Sequence, residues 1–186
     1  MKLLGRWAAA LPTALATTLS AIALAGELPV PAPEPEPASA FVPRAVERLV
    51  APRSAFPMRA EPEYGDGLGA GRGHEGQDLF AAAGTPLIAV ANAVVAESGS
   101  DGGRGNFISI YDRTVQRTYS YFHMLAPPAA AAGDRVRAGE KLGELGCSGS
   151  CWGDHLHFEV RSGSDPWGPV IDPVPVLERL RAAETR

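Results

Sequence analysis

After Phe56 the chain alternates apolar and polar residues in short runs rich in β-branched and aromatic side chains. TPLIAVANAVVAES (85–98), NFISIYD (106–112), RTYSYFHML (117–125) and HLHFEVR (155–161) read as strands. Glycine clusters such as GSDGGRG and GCSGSCWG separate them and mark turns. In HLHFE the period of two sets His155, His157 and Glu159 on one face and Leu156, Phe158 and Val160 on the other. The apolar trio then packs inward while both imidazoles are displayed together. Helical spacing is confined to VPVLERLRAAE after Pro173, where Val174, Val176, Leu177 and Leu180 share a side. The pattern predicts an all-β, antiparallel sheet domain with a short C-terminal helix and no solenoid repeat.

The segment GDRVRAGEKLGEL spaces Val136, Leu142 and Leu145 between Gly133, Gly139 and Gly143, a rhythm that predicts a strand, a tight turn and a strand of barrel-sandwich hybrid type. Lipoyl and biotinyl carriers share this rhythm, but Lys141 lacks their flanking methionines, which weakens a carrier reading. Upstream of the strands, Lys2 and Arg6 precede an apolar run from Trp7 that ends in Ala23-Leu24-Ala25, the order of a cleaved signal peptide over residues 1–25. Pro12 and several hydroxyl residues weaken the competing reading, an uncleaved membrane anchor. Residues 26–40, GELPVPAPEPEPASA, are expected to form an extended tether. A lead-in over 41–55 has room for one helical turn at Val46, Leu49 and Val50, and residues 56–186 form one domain. Loss of residues 1–25 removes two basic and no acidic residues, taking the formal charge from −4 to −6. So acidic a chain is not built to capture nucleic acid or anionic lipid. The mature form is expected to be a monomer, secreted or held in the cell envelope, with no integral membrane span.

The chain has four histidines and two cysteines, and all six fall in patterned places. Cys147 and Cys151 followed by His155 and His157 resemble the ligand set of a closed structural zinc site. A second arrangement uses His74 and Asp78, four apart in GHEGQD, as an imidazole and a carboxylate able to point the same way. The HEGQD string is not H-E-x-x-H: Asp78 takes the place of the second histidine, and Gly73 and Gly76 disfavour a helix, so Glu75 is not expected to be a general base.

Taken in order, GHEGQDLFAAAGTPLIAVANAVVAESG, GRGNFISIYD, TYSYFHML, GDRVRAGEKLGELGCSGS and WGDHLHFEV resemble the LytM/lysostaphin-type zinc endopeptidases of bacterial cell walls, whose domain is a duplicated hybrid motif. The resemblance covers roughly Phe56 to Pro173. It implies that His74, Asp78 and His157 bind one Zn²⁺, that His123 and His155 are catalytic, and that Tyr121 holds the tyrosine place of the Y-x-H motif. Glu159 either orients a ligand imidazole from behind or is a plain surface carboxylate. Three protein ligands leave a fourth position on zinc for water, so the site would be catalytic. The implied function is hydrolysis of peptide bonds in peptidoglycan stem peptides or cross-bridges, in the periplasm or cell wall. A non-catalytic envelope protein of the same fold that activates another wall hydrolase is the alternative. Ala93 stands where the family usually has glycine and Asp154 where it usually has proline. The family pattern puts the glycine-rich loop at the rim of the site, and in an exported chain Cys147 and Cys151 are then expected to form a short disulfide across it.

Overall fold

The computed structural model describes residues 53–71 and 73–185. The signal peptide, the tether and the helical turn expected near Val46 lie outside the described residues. Among the described residues ten strands and one helix follow in order: β1 (Glu63–Tyr64), β2 (Gln77–Phe80), β3 (Pro86–Ile88), β4 (Ala93–Asp101), β5 (Gly105–Asp112), β6 (Arg117–Met124), β7 (Arg135–Val136), β8 (Lys141–Glu144), β9 (His155–Ser162), β10 (Val170–Ile171) and α1 (Val174–Glu184). All pairings are antiparallel, as the alternating pattern predicts. The main sheet runs β1-β2-β9-β6-β5-β4-β7, with β10 also on β9, and among the described residues it does not close into a barrel. A second, two-stranded sheet pairs β3 with β8.

The run TPLIAVANAVVAES therefore yields two strands in different sheets, β3 and β4. The strand, tight turn and strand expected in GDRVRAGEKLGEL are present as β7, a turn over 137–140 and β8, with β7 pairing with β4 and β8 with β3. Chain that leaves one sheet for the other keeps its apolar period, so the pattern does not mark either crossing. Tyr121 fixes one crossing. Its hydroxyl donates to the Ile88 carbonyl at 2.8 Å and accepts from the Val90 amide at 3.1 Å, serving the backbone where β3 ends.

The core lies between the sheets. Leu156, Phe158 and Val160 of β9, Ile108 and Ile110 of β5 and Tyr121 of β6 pack with Leu87, Val90, Leu142 and Leu145. Helix α1 adds Val176, Leu177 and Leu180, as its spacing predicts. The first residue of the domain belongs to this core: Phe56 is fully buried, its amide donates to Glu184 Oε1 at 2.9 Å, and the Arg181 guanidinium lies 3.5 Å from the centre of its ring. Burying a phenylalanine of this kind stabilises the fold by about 2–3 kcal/mol.

The opposite face of β5, β6 and β9 is polar and also covered. Ser109 and Ser120 share a 2.8 Å hydrogen bond there, and Thr118, Glu159 and Arg161 are buried beside them. Residues from the segment before β2, the β4–β5 turn and the segment before β9 line an open cleft on this face.

Candidate functional site

The period of two holds along β9. His155, His157, Glu159 and Arg161 share the polar face, with Leu156, Phe158 and Val160 fully buried on the other. Register on β2 puts Asp78 opposite His157, so a carboxylate from one strand meets an imidazole from the next. His74 comes from the loop before β2, where Gly73 has φ of +89° and the His74 amide donates to Ala70 O. The structure thus brings His74, Asp78 and His157 together.

The geometry of this trio is that of a metal-binding cluster, because three ligand atoms lie within 4.8 Å of one another. His74 Nε2 is 3.0 Å and His157 Nδ1 2.9 Å from the same oxygen, Asp78 Oδ1. The far nitrogen of each ring is held from behind: His74 Nδ1 donates to Gly67 O at 2.9 Å, and His157 Nε2 donates to Glu159 Oε1 at 3.1 Å. Such anchoring selects the tautomer whose inner nitrogen offers its lone pair to a metal. The donor set, two imidazoles and one carboxylate, fits a divalent transition metal.

Electrostatics follow the same layout. Burial works against charge on Asp78, but the hydrogen bond from His157 and the nearby imidazoles outweigh it and hold the carboxyl below its ordinary value. Burial also disfavours protonated His157, yet its bonds to Asp78 and Glu159 raise its pKa to about 9. A ring pressed between two carboxylates holds a positive charge there, whether a proton or a metal supplies it.

His123 and His155 stand beside the cluster, with ring centres 4.8 Å apart and His155 Nε2 3.7 Å from Asp78 Oδ1. Simple alternation would put Tyr121 and His123 on one face. It fails here, because between Asn106 and Ile108 the pairing of β5 with β6 shifts register and Phe107 faces both Phe122 and His123. This bulge, with His123 at φ of +61°, turns the imidazole into the groove. Tyr121 stays in the core, where its support is to the backbone rather than to the groove. Phe122 takes the site face and stacks on His157 at 5.3 Å.

Both of these rings are also held by Nδ1. His123 Nδ1 donates to Ser148 O at 2.8 Å and His155 Nδ1 donates to Gly153 O at 2.7 Å. Each Nε2 is therefore left as an acceptor. Burial holds His123 below the ordinary imidazole value, although the Ser148 bond opposes this. Both carbonyls belong to the glycine-rich loop, in which Cys147 and Cys151 form a disulfide with Cα atoms 5.3 Å apart. Neither cysteine joins the His74, Asp78 and His157 cluster, and the closed zinc reading is set aside on that ground. The loop packs on the start of β5: the Ser148 hydroxyl accepts from Asn106 N and donates to Met124 O, and a Cβ at Gly149 would meet the Gly105 amide.

The five residues line a cleft of about 320 Å³, with Arg104, Ser150 and the exposed Trp152 at its rim. Sequence reasoning passed over Phe122, Arg104, Trp152 and Arg161. Of these only Arg161 carries a signal, the parity it shares with His157. Ala93 is buried beside Val136 and Asp154 is exposed at the turn into β9.

Fold and site together define an open antiparallel β domain with a His-Asp-His cluster and two further histidines on one groove. The chain belongs to peptidase family M23, whose model matches residues 72–169. It is 37% identical over 109 residues to the DD-carboxypeptidase/endopeptidase Mpg of Neisseria meningitidis serogroup B, a match covering 59% of this chain and 25% of that protein. It is 33% identical over 109 residues to the glycyl-glycine endopeptidase ALE-1 of Staphylococcus capitis, covering 58% of this chain and 30% of that protein. The chain thus spans less than a third of the length of either relative. Among solved structures, the catalytic domain of the antimicrobial peptidase lysostaphin from Staphylococcus simulans superposes with a TM-score of 0.58 at 31% identity, covering 63% of this chain and 92% of that domain. Among the described residues no helix is long and apolar enough to cross a membrane.

Proposed function

We propose that this protein is an exported, zinc-dependent endopeptidase that hydrolyses peptide bonds in peptidoglycan stem peptides or cross-bridges. The observation that carries the reading is the convergence of His74 Nε2, Asp78 Oδ1 and His157 Nδ1 in a cleft that also receives His123 and His155. The names of the relatives support the substrate class, since Mpg is a DD-carboxypeptidase/endopeptidase and ShyC of Vibrio cholerae a peptidoglycan DD-endopeptidase.

His74, Asp78 and His157 would hold the zinc ion, which would supply Lewis-acid activation of water and of the scissile carbonyl. The protein does the rest. Glu159 and Gly67 O keep the ligand rings in the required tautomer. Nε2 of one of the pair His123 and His155 accepts a proton from the attacking water. The other ring, protonated from solvent at Nε2, steadies the oxyanion and delivers that proton to the departing amine nitrogen, while the first ring returns the water proton to solvent. Both rings have Nδ1 occupied by a backbone carbonyl, so both exchange protons only on the groove side. Glu75 is not a base in this scheme, because its carboxylate is engaged by Arg161 at 2.7 Å.

Incubating the purified protein with insoluble peptidoglycan tests the reading. Soluble fragments are expected from the wild type, and none after chelation or in His157→Ala. Undiminished release by His157→Ala overturns the proposal.

A further inference from the structure

We propose that Arg161 is a positioning residue that clips together the two segments carrying His74 and His157, with Glu75 as its second contact. The inference rests on the assignment of those histidines as ligands. Arg161 follows Glu159 by two residues on the same face of β9 and is 4% exposed. Its Nε and Nη2 donate to Glu159 Oε2 at 2.9 and 2.7 Å, while Glu159 Oε1 receives the His157 Nε2 proton. The same Nη2 donates to Glu75 Oε2 at 2.7 Å, and Nη1 donates to Gly168 O at 3.1 Å.

One guanidinium therefore holds the carboxylate behind His157 and the carboxylate adjoining His74, two residues 84 positions apart along the chain (159 minus 75). The planar fork suits this task and a point charge does not, since several donors must be aimed in fixed directions. Glu159 is almost fully buried, so without Arg161 it would lose its guanidinium partner and face the ligand ring alone. An independent observation shows how closely the two segments are drawn together. A Cβ built on Gly76 would lie 2.7 Å from His157 Nε2 and 2.8 Å from Phe158 O. Only glycine lets the His74 loop come this near the His157 ring, and the clip spans the same junction.

A bridge that served folding alone would alter the melting temperature and leave the metal site untouched. The test is Zn²⁺ affinity, read by competition with a chromophoric chelator, together with the visible spectrum of the Co²⁺ form. Arg161→Gln is expected to weaken Zn²⁺ binding by about 10–100-fold and to shift the Co²⁺ bands, with Arg161→Lys between it and wild type. Glu75→Gln is expected to weaken binding by roughly several-fold at an unchanged melting temperature. Its side chain is 54% exposed, so this variant decides the question if Arg161→Gln does not fold. His157→Ala separates the two levels of the argument. If it binds Zn²⁺ like wild type, the ligand assignment fails and the clip with it. If it loses binding while Glu75→Gln and folded Arg161→Gln keep wild-type affinity and spectrum, the clip alone is overturned.

Discussion

Gly76→Ala perturbs the site by a single methyl group. The added Cβ would sit 2.7 and 2.8 Å from His157 Nε2 and Cε1 and 2.8 Å from Phe158 O, all inside van der Waals contact. The carbonyl cannot yield easily, because Phe158 is fully buried and pairs with both Gln77 and Tyr121. The imidazole must then move by roughly 0.7 Å, or β2 must part from β9; overpacking of this kind costs about 1–3 kcal/mol. For a domain of this size that lowers Tm by roughly 3–12 °C. The moved atom is the one that donates to Glu159, so the tautomer lock is broken and metal affinity falls by about 10-fold or more. Gly102→Ala is the control, since a Cβ there meets nothing within 4 Å and its φ is not in the left-handed range. Differential scanning calorimetry and Zn²⁺ competition titration on both variants read the two effects. Wild-type Tm and Zn²⁺ affinity in Gly76→Ala would refute the reasoning.

Three further outcomes are expected. His155→Ala keeps stoichiometric zinc by elemental analysis while kcat falls by about 10²–10⁴-fold, because a proton-transfer group is lost and no ligand is. Tyr121→Phe leaves Val90 N and Ile88 O without their buried partner and lowers stability by about 1–3 kcal/mol in urea titration, with kcat unchanged because the hydroxyl faces the core. The double variant Cys147→Ala/Cys151→Ala frees a loop whose ends are four residues apart, at a cost of about 2 kcal/mol in denaturant titration. Its kcat at saturating substrate drops below what the unfolded fraction explains if His123 and His155 act as proposed, since Ser148 O and Gly153 O orient their rings.

Much of the site was legible because β9 is regular. Its period of two displays His155, His157 and Glu159 together, and Arg161 obeys the same parity, so the whole polar face could be written down from HLHFEVR. The position of His123 was not readable by alternation, because the β6 bulge at Phe122 and His123, opposite Phe107, is a property of two strands and of a left-handed φ, and neither leaves a mark on the pattern. The partners that fix the rings, Gly67 O, Ser148 O and Gly153 O, are main-chain atoms and have no sequence signature. Glu75 could be read only as a carboxylate outside an H-E-x-x-H motif, and its pairing with Arg161, 86 residues away, is a fact of tertiary structure. In the fold, strand existence followed from composition, whereas the assignment of β7 and β8 to different sheets did not, since short apolar segments fit either one.

Under the proposed function, His74, Asp78, His123, His155 and His157 would together cut a peptide bond in the bacterial wall with the help of one zinc ion. The most direct test is digestion of purified peptidoglycan of defined cross-bridge, with the new termini identified by mass spectrometry. One new amine and one new carboxyl terminus per cut, at a single kind of peptide linkage and absent with His157→Ala, is the predicted result. Peptidoglycan left intact by zinc-loaded, folded protein would contradict it.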